Sequence, residues 1–188
     1  QFGPVGDDEH GNQQASTLRR LAANPNVFNE AAVGYAARRG LVIAENEHAV
    51  AFAGFGHRYP TIEVFSKSEA SFPWEHAPEE VRGMSDLLHA MHAATGPDVP
   101  CNEEWHYRPI DVEAPMPWRV MLKWRISTLA GFEGATKIYL NTLTPHALRD
   151  RVVERLVALR NDGAVAADLR IADEARCRPN ALRYASGR

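Results

Sequence analysis

The chain has almost no cysteine. Cys101 and Cys177 stand alone and far apart among 188 residues, so neither a disulfide framework nor a zinc knuckle is suggested. An excess of charge of one sign is also missing. The formal net charge of −3 gives no electrostatic case for a nucleic-acid or membrane partner. No apolar run approaches the length that spans a bilayer, and no charged-then-apolar signal segment opens the chain. Internal repeats and low-complexity tracts are absent too. What these absences leave is the expectation of a reduced, cytoplasmic globule. Its 45% apolar and 24% charged residues suit one soluble domain with appendages. The first residue is Gln1 rather than Met, and a loose run with Gly3, Gly6, Asp7, Asp8 and Gly11 follows; such a start suggests a processed piece or part of a longer protein.

What is present is clear periodicity. Residues 1–14 read as a flexible lead, and Ser16 is placed to cap a helix through Ala23. Residues 26–39 predict a second helix, with Phe28, Ala32, Tyr35 and Ala36 on one face and Gly40 as its stop. Strands are predicted over 41–45, 49–53 and 61–67, with a Gly54-Phe55-Gly56 bend before the third. Residues 78–94 make the clearest helix. Pro78 suits its first turn, Glu79 and Glu80 favour the positive end of its dipole, and Val81, Met84, Leu88 and Met91 form a core stripe. Strands over 104–110 and 118–125 come next. A last helix opens at Thr144-Pro145 and carries Leu148, Val152, Leu156 and Leu159. Residues 164–175 read as weakly helical and 176–188 as a tail. Short strands interrupted by one long helix and closed by another give an α+β class, an antiparallel sheet backed by helices.

The most informative stretch runs from Pro117 to Pro145. Trp118, Val120, Leu122 and Trp124 alternate with Arg119, Met121, Lys123 and Arg125, the mark of a half-buried strand. Three cations on its second face are costly if buried without anions and useful if a phosphate sits there. Ala130-Gly131-Phe132-Glu133 follows, with Gly134 and Lys137 beyond it. A cationic strand face beside a glycine-bracketed carboxylate looks like a polar ligand site.

This stretch resembles the C-terminal half of galactose-1-phosphate uridylyltransferases, in which a strand runs into an Arg, then A-G-F-E, a short apolar strand and N-x-x-x-P. Here those positions are 118–125, 130–133, 138–140, Asn141 and Pro145. Residues 39–65 are similar to that family's R-x-V-x-E-N…P-x-E strand pair, and Asn102-Glu103-Glu104-Trp105-His106-Tyr107-Arg108-Pro109 to its N-x-x-x-H-x-x-P strand. The resemblance implies the histidine-triad fold, with residues 1–38 as a lead with helices, 39–162 as the histidine-triad-like domain and 163–188 as an extension. It further implies that this chain is the sugar-phosphate-binding half of a nucleotidyltransferase, a homodimer whose covalent histidine lies in an N-terminal half.

That nucleophile belongs to an H-P-H motif, and none of the eight histidines stands in one, so no catalytic residue is assigned and the chain alone is expected to be inactive. The resemblance implies a substrate-binding set of Phe132, Glu133, Arg125, Lys137 and His106, with a hexose phosphate or nucleotide-sugar as ligand. Each has a plainer reading. Glu133 can be a turn glutamate paired with Arg125 or Lys137, the cations can be a solvated sheet face, and His106 can be a locally bonded strand histidine. In the relatives His106 can join a later H-x-H pair in holding a metal; here those positions are Pro117 and Arg119, so no metal or cofactor is expected. The rival to the enzyme half is a non-catalytic binding or scaffolding module that keeps the fold without its chemistry.

Overall fold

Alternation in the strand β2 (Ala49–Ala53) decides how the molecule is layered. Ala49, Ala51 and Ala53 join one apolar core, while Val50 and Phe52 join another on the opposite face. Small side chains on the first face let helices come close; large ones on the second reach a thinner cover. All five residues are buried because both faces are covered, and so are those of β1 (Val42–Glu45) and β3 (Thr61–Ser66). The computed structural model describes residues 13–128, 130–178 and 180–185.

The sheet has six antiparallel strands in the order β4-β5-β3-β2-β1-β6, with β4 (Cys101–His106), β5 (Arg119–Trp124) and β6 (Arg170–Ile171) completing the set. Upstream lie α1 (Gln13–Ala23), a π-helical turn (Phe28–Val33) and α2 (Gly34–Arg38); α3 (Pro78–Thr95), α4 (Gly131–Thr136) and α5 (Pro145–Asn161) follow β3 and β5. The alternating residues Val120, Leu122 and Trp124 of β5 enter the first core, where α3 and α5 supply Met84, Leu87, Met91, Leu148, Val152 and Leu156. Val81 stays 41% exposed and Leu87 takes its place in the stripe. Pro78 opens α3, and Glu80 Oε2 accepts a hydrogen bond from the Ala77 amide at 3.1 Å. Thr144 Oγ1 caps α5 by accepting from Ala147 at 3.1 Å. The α+β architecture and its antiparallel sheet are those read from the sequence. Among the described residues no helix is long and apolar enough to cross a membrane.

Five segments differ from the sequence expectation. Residues 26–39 do not form one α-helix: Gly34 donates to the Asn29 carbonyl across a widened turn, and a Cβ on Gly34 would collide with that oxygen. The strand expected over 104–110 ends at His106, whose partner Arg119 is the first residue of β5; Pro117, two residues upstream, has no N–H to extend the ladder. Residues 138–140 form no strand, and Ile138 and Leu140 are exposed. Residues 170–171 pair with β1 instead of continuing a helix, and the expected tail is tied down through residue 185. Leu182 and Tyr184 are buried in the second core beside Phe28. The buried Asn29 side chain donates to Leu182 O and accepts from Leu182 N, both at 2.9 Å, and Tyr184 Oη donates to Pro25 O at 2.8 Å.

The approach of α3 to the sheet is close at Gly83. Asn46 Nδ2 donates to Gly83 O at 2.7 Å, and a Cβ built on Gly83 would lie 2.7 Å from His48 Cβ. Gly83→Ala is expected to lower stability by about 1–3 kcal/mol through overpacking, even though alanine favours a helix. Gly134→Ala in α4, where a Cβ meets open space, is expected to gain up to roughly 1 kcal/mol. Urea denaturation of both variants checks the contrast.

Candidate functional site

The second sheet face is apolar only over half its width. Toward β1 and β2 it carries Val42, Val50 and Phe52. Toward β4 it carries Glu63 on β3, Arg119 and Lys123 on β5, and Glu104 and His106 on β4. Register brings these side chains together: Arg119 lies between Phe65 and His106, and Met121 lies between Glu63 and Glu104. Glu63 and Arg119 are 2% and 6% exposed. His57 reaches in from the bend after β2, its Nε2 2.8 Å from Glu63 Oε1. Gly54 permits this approach, since a Cβ there would sit 2.8 Å from His57 Cδ2 and 3.0 Å from Glu63 Oε1. The second Glu63 oxygen is buried and makes no hydrogen bond.

Burial of Glu63 would raise its pKa, but the charge and hydrogen bond of His57, with Arg119 and His106, hold it below the ordinary carboxylate value. The Arg119 guanidinium lies over the rings of Phe28 and Phe65, at 5.1 and 5.6 Å. Lys123 Nζ donates to Glu104 Oε2 at 2.6 Å. His106 Nε2 is 3.5 Å from the same oxygen, long for a hydrogen bond. Burial, then the neighbouring Arg119 charge, push the His106 pKa down to about 4, so the imidazole is neutral at pH 7. Among the described residues no three His, Cys, Asp or Glu side chains are grouped to hold a metal ion. Chemically, the face offers a fixed carboxylate, a neutral imidazole and two cations, a set that can hold hydroxyls and an anion.

Of the five substrate-binding candidates, only His106 belongs to this face. Arg125, Phe132, Glu133 and Lys137 lie on the segment that follows β5, outside both cores. Phe132 is 51% exposed. Glu133 sits in the first turn of α4, where Oε2 accepts from the Ala130 amide at 3.1 Å, and it makes no ion pair with Arg125 or Lys137. Lys137 is the left-handed cap of the helix, φ 59°, and donates to Gly134 O at 2.9 Å. Tyr139 links the segment to the sheet: the Arg58 guanidinium lies 4.8 Å from its ring and 5.1 Å from that of Tyr59. Glu63, missed as a site residue from sequence, had one signal: a carboxylate at an inward position in Thr-Ile-Glu-Val-Phe.

A family model described as a domain of unknown function (DUF4921) matches residues 4–184. No curated protein sequence matches the chain. Among solved structures, an ADP-glucose phosphorylase from Arabidopsis thaliana with bound ADP-glucose is similar at 23% identity and a TM-score of 0.62, over 77% of this chain and 50% of that one. A galactose-1-phosphate-uridylyltransferase-like protein from the same plant is similar at 22% identity and 0.63, over 80% and 52%. A uridylyltransferase is similar at 17% identity and 0.56, over 76% and 52%. The chain therefore has the fold of these proteins and spans about half their length.

The depressed His106 pKa has a consequence for stability. An unfolded histidine takes up its proton near pH 6.5, whereas the folded one resists until about 4. The contribution is therefore complete above pH 6.5 and is lost as pH falls toward 4. Between pH 7.5 and pH 5 the wild type is expected to lose about 2 kcal/mol from this group. His106→Gln is expected to lose correspondingly less, measured by urea denaturation at the two pH values.

Proposed function

The chain belongs to the DUF4921 family, and on that premise we propose that it is the sugar-phosphate-binding half of a nucleotidyltransferase resembling galactose-1-phosphate uridylyltransferase. The observation that carries this reading is the segment after β5. It exposes Phe132, Ile138 and Leu140 to solvent, and its Tyr139 ring meets Arg58 in the loop before β3. Such a run of exposed apolar side chains suits contact with something outside this domain. In this reading Phe132 packs on the sugar ring and the free Glu133 oxygen accepts its hydroxyls. Arg125 or Lys137 meets the phosphate, and the neutral His106 lines the rear of the site.

The nucleotidyl group is carried by a histidine in another half of the protein, and a homodimer brings the halves together. No cofactor takes part. A binding module without catalysis is the second reading. It is favoured by the sheet register, which sets Arg119, not a second histidine, opposite His106.

Calorimetric titration of hexose 1-phosphates into the longest natural form of the protein tests the proposal. Glu133→Gln is expected to weaken binding about ten- to hundredfold, the cost of about 1.5–3 kcal/mol for a lost charge-assisted hydrogen bond. Equal affinity removes Glu133 from the site and sinks the sugar-recognition reading. Exchange of label between a nucleoside diphosphate sugar and hexose 1-phosphate separates the two readings: binding without exchange assigns the module.

A further inference from the structure

The stretch between β5 and α5 is closed on itself. Among the described residues, the hydrogen bonds of residues 130–143 all end within that stretch. Thr136 Oγ1 donates to Phe132 O at 2.7 Å and accepts from the Ile138 amide at 3.1 Å, while Glu133 and Lys137 close the two ends of α4. At Gly131 and Gly134 an added Cβ would meet nothing within 4 Å. A helix of six residues is marginal on its own, and these local bonds fix its shape but not its direction. The two ends are anchored, since Trp124 is buried at the end of β5 and Leu143 packs against the first core before α5. Between them, the direction of α4 depends on a side chain that reaches the rest of the molecule.

Tyr139 makes such a contact. The Arg58 guanidinium lies 4.8 Å from the centre of its ring and 5.1 Å from that of Tyr59. Arg58 is not engaged as an ion pair: among the described residues it has no carboxylate or carbonyl partner, and its Nε is buried without one. Arg149, Arg160 and Arg170 are covered to a similar degree, and each donates to a backbone carbonyl. A half-buried guanidinium without an acceptor is costly, and two aromatic faces offset part of that cost. The base on which Arg58 stands is firm. His57 Nε2 lies 2.8 Å from the buried Glu63 Oε1, and Thr61 Oγ1 donates to Tyr59 O at 2.8 Å. A fixed cation on the sheet side therefore meets a ring from the stretch that carries α4. A guanidinium keeps its charge throughout the working pH range, so this contact does not titrate.

We propose that Arg58 is a positioning residue, which acts through Tyr139 to hold α4 in the orientation that presents Phe132 and Glu133 to the ligand. It touches no ligand itself. The inference rests on the sugar-phosphate reading for the site that Arg58 serves, while the latch between the two side chains does not depend on what that site binds.

The test uses the longest natural form of the protein as wild type, Arg58→Ala, Tyr139→Ala, the double variant and Tyr139→Phe. Two quantities are read: the rate of limited trypsin cleavage after Lys137, located by mass spectrometry, and the calorimetric affinity for glucose 1-phosphate. Each alanine variant is expected to be cleaved about three- to thirtyfold faster, the range set by one cation–aromatic contact, and to bind the ester more weakly by a similar factor. The double variant is expected to go no further than the single ones, and Tyr139→Phe, which keeps the ring, to match the wild type. Unchanged cleavage in either alanine variant overturns the latch. Additive effects in the double variant overturn the claim that Arg58 acts through Tyr139, and faster cleavage with unchanged affinity overturns its positioning role. If the wild type binds no glucose 1-phosphate, the sugar-phosphate reading falls, whereas non-additive cleavage still supports the latch.

Discussion

One buried carboxylate governs the second face of the sheet. Glu63 sits on a central strand with both faces covered, where an uncompensated charge costs several kcal/mol. Its neighbours follow from that cost. His57 has to reach back from its bend, so Gly54 has to lack a side chain. Arg119 has to lie at a buried position, so two phenylalanine rings take up its flat faces. Burial, and after it the Arg119 charge, keeps His106 unprotonated. A chain of requirements thus runs from one glutamate across three strands to the outer strand of the sheet.

Much of this architecture was legible in the residues. Alternation gave β5 with its faces, and the apolar stripes gave α3 and α5, because these elements bury one periodic set against one partner. The C-terminal segment was not legible. Leu182 and Tyr184 are two apolar residues among arginines, and nothing local says that Asn29, far upstream, will hold them. The π-helical turn was hidden for a related reason: Gly34 reads as a weak helix residue unless the Asn29 carbonyl beside it is known. At the site, the cationic face of β5 was visible but its counter-charge was not. Glu63 stood within a motif without betraying that it lies diagonally across from Arg119 on the same face, since pairing register is a property of two strands and not of either one.

The polar groups are distributed unevenly over the molecule. The core between the sheet and α3 and α5 contains little but apolar side chains, and it carries the bulk of the packing. Buried charge is confined to the other face and to the margin near β1 and β6. Such a division lets one side of a sheet hold the fold while the opposite side accommodates ionisable groups whose net contribution to stability is small. The match covers about half of each of the solved structures that share the fold, so the same layered unit serves there as one part of a larger chain.

The clamp between Asn29 and Leu182, with Tyr184 over Phe28, spans nearly the whole sequence. During synthesis the chain emerges from its N-terminus, and the upstream helices are made long before their partners. Phe28 and Val33 therefore wait beside an incomplete sheet until translation reaches Tyr184. Closing so large a loop is a late and entropically costly event. A ribosome-bound nascent chain thus presents an aromatic surface that the finished protein conceals.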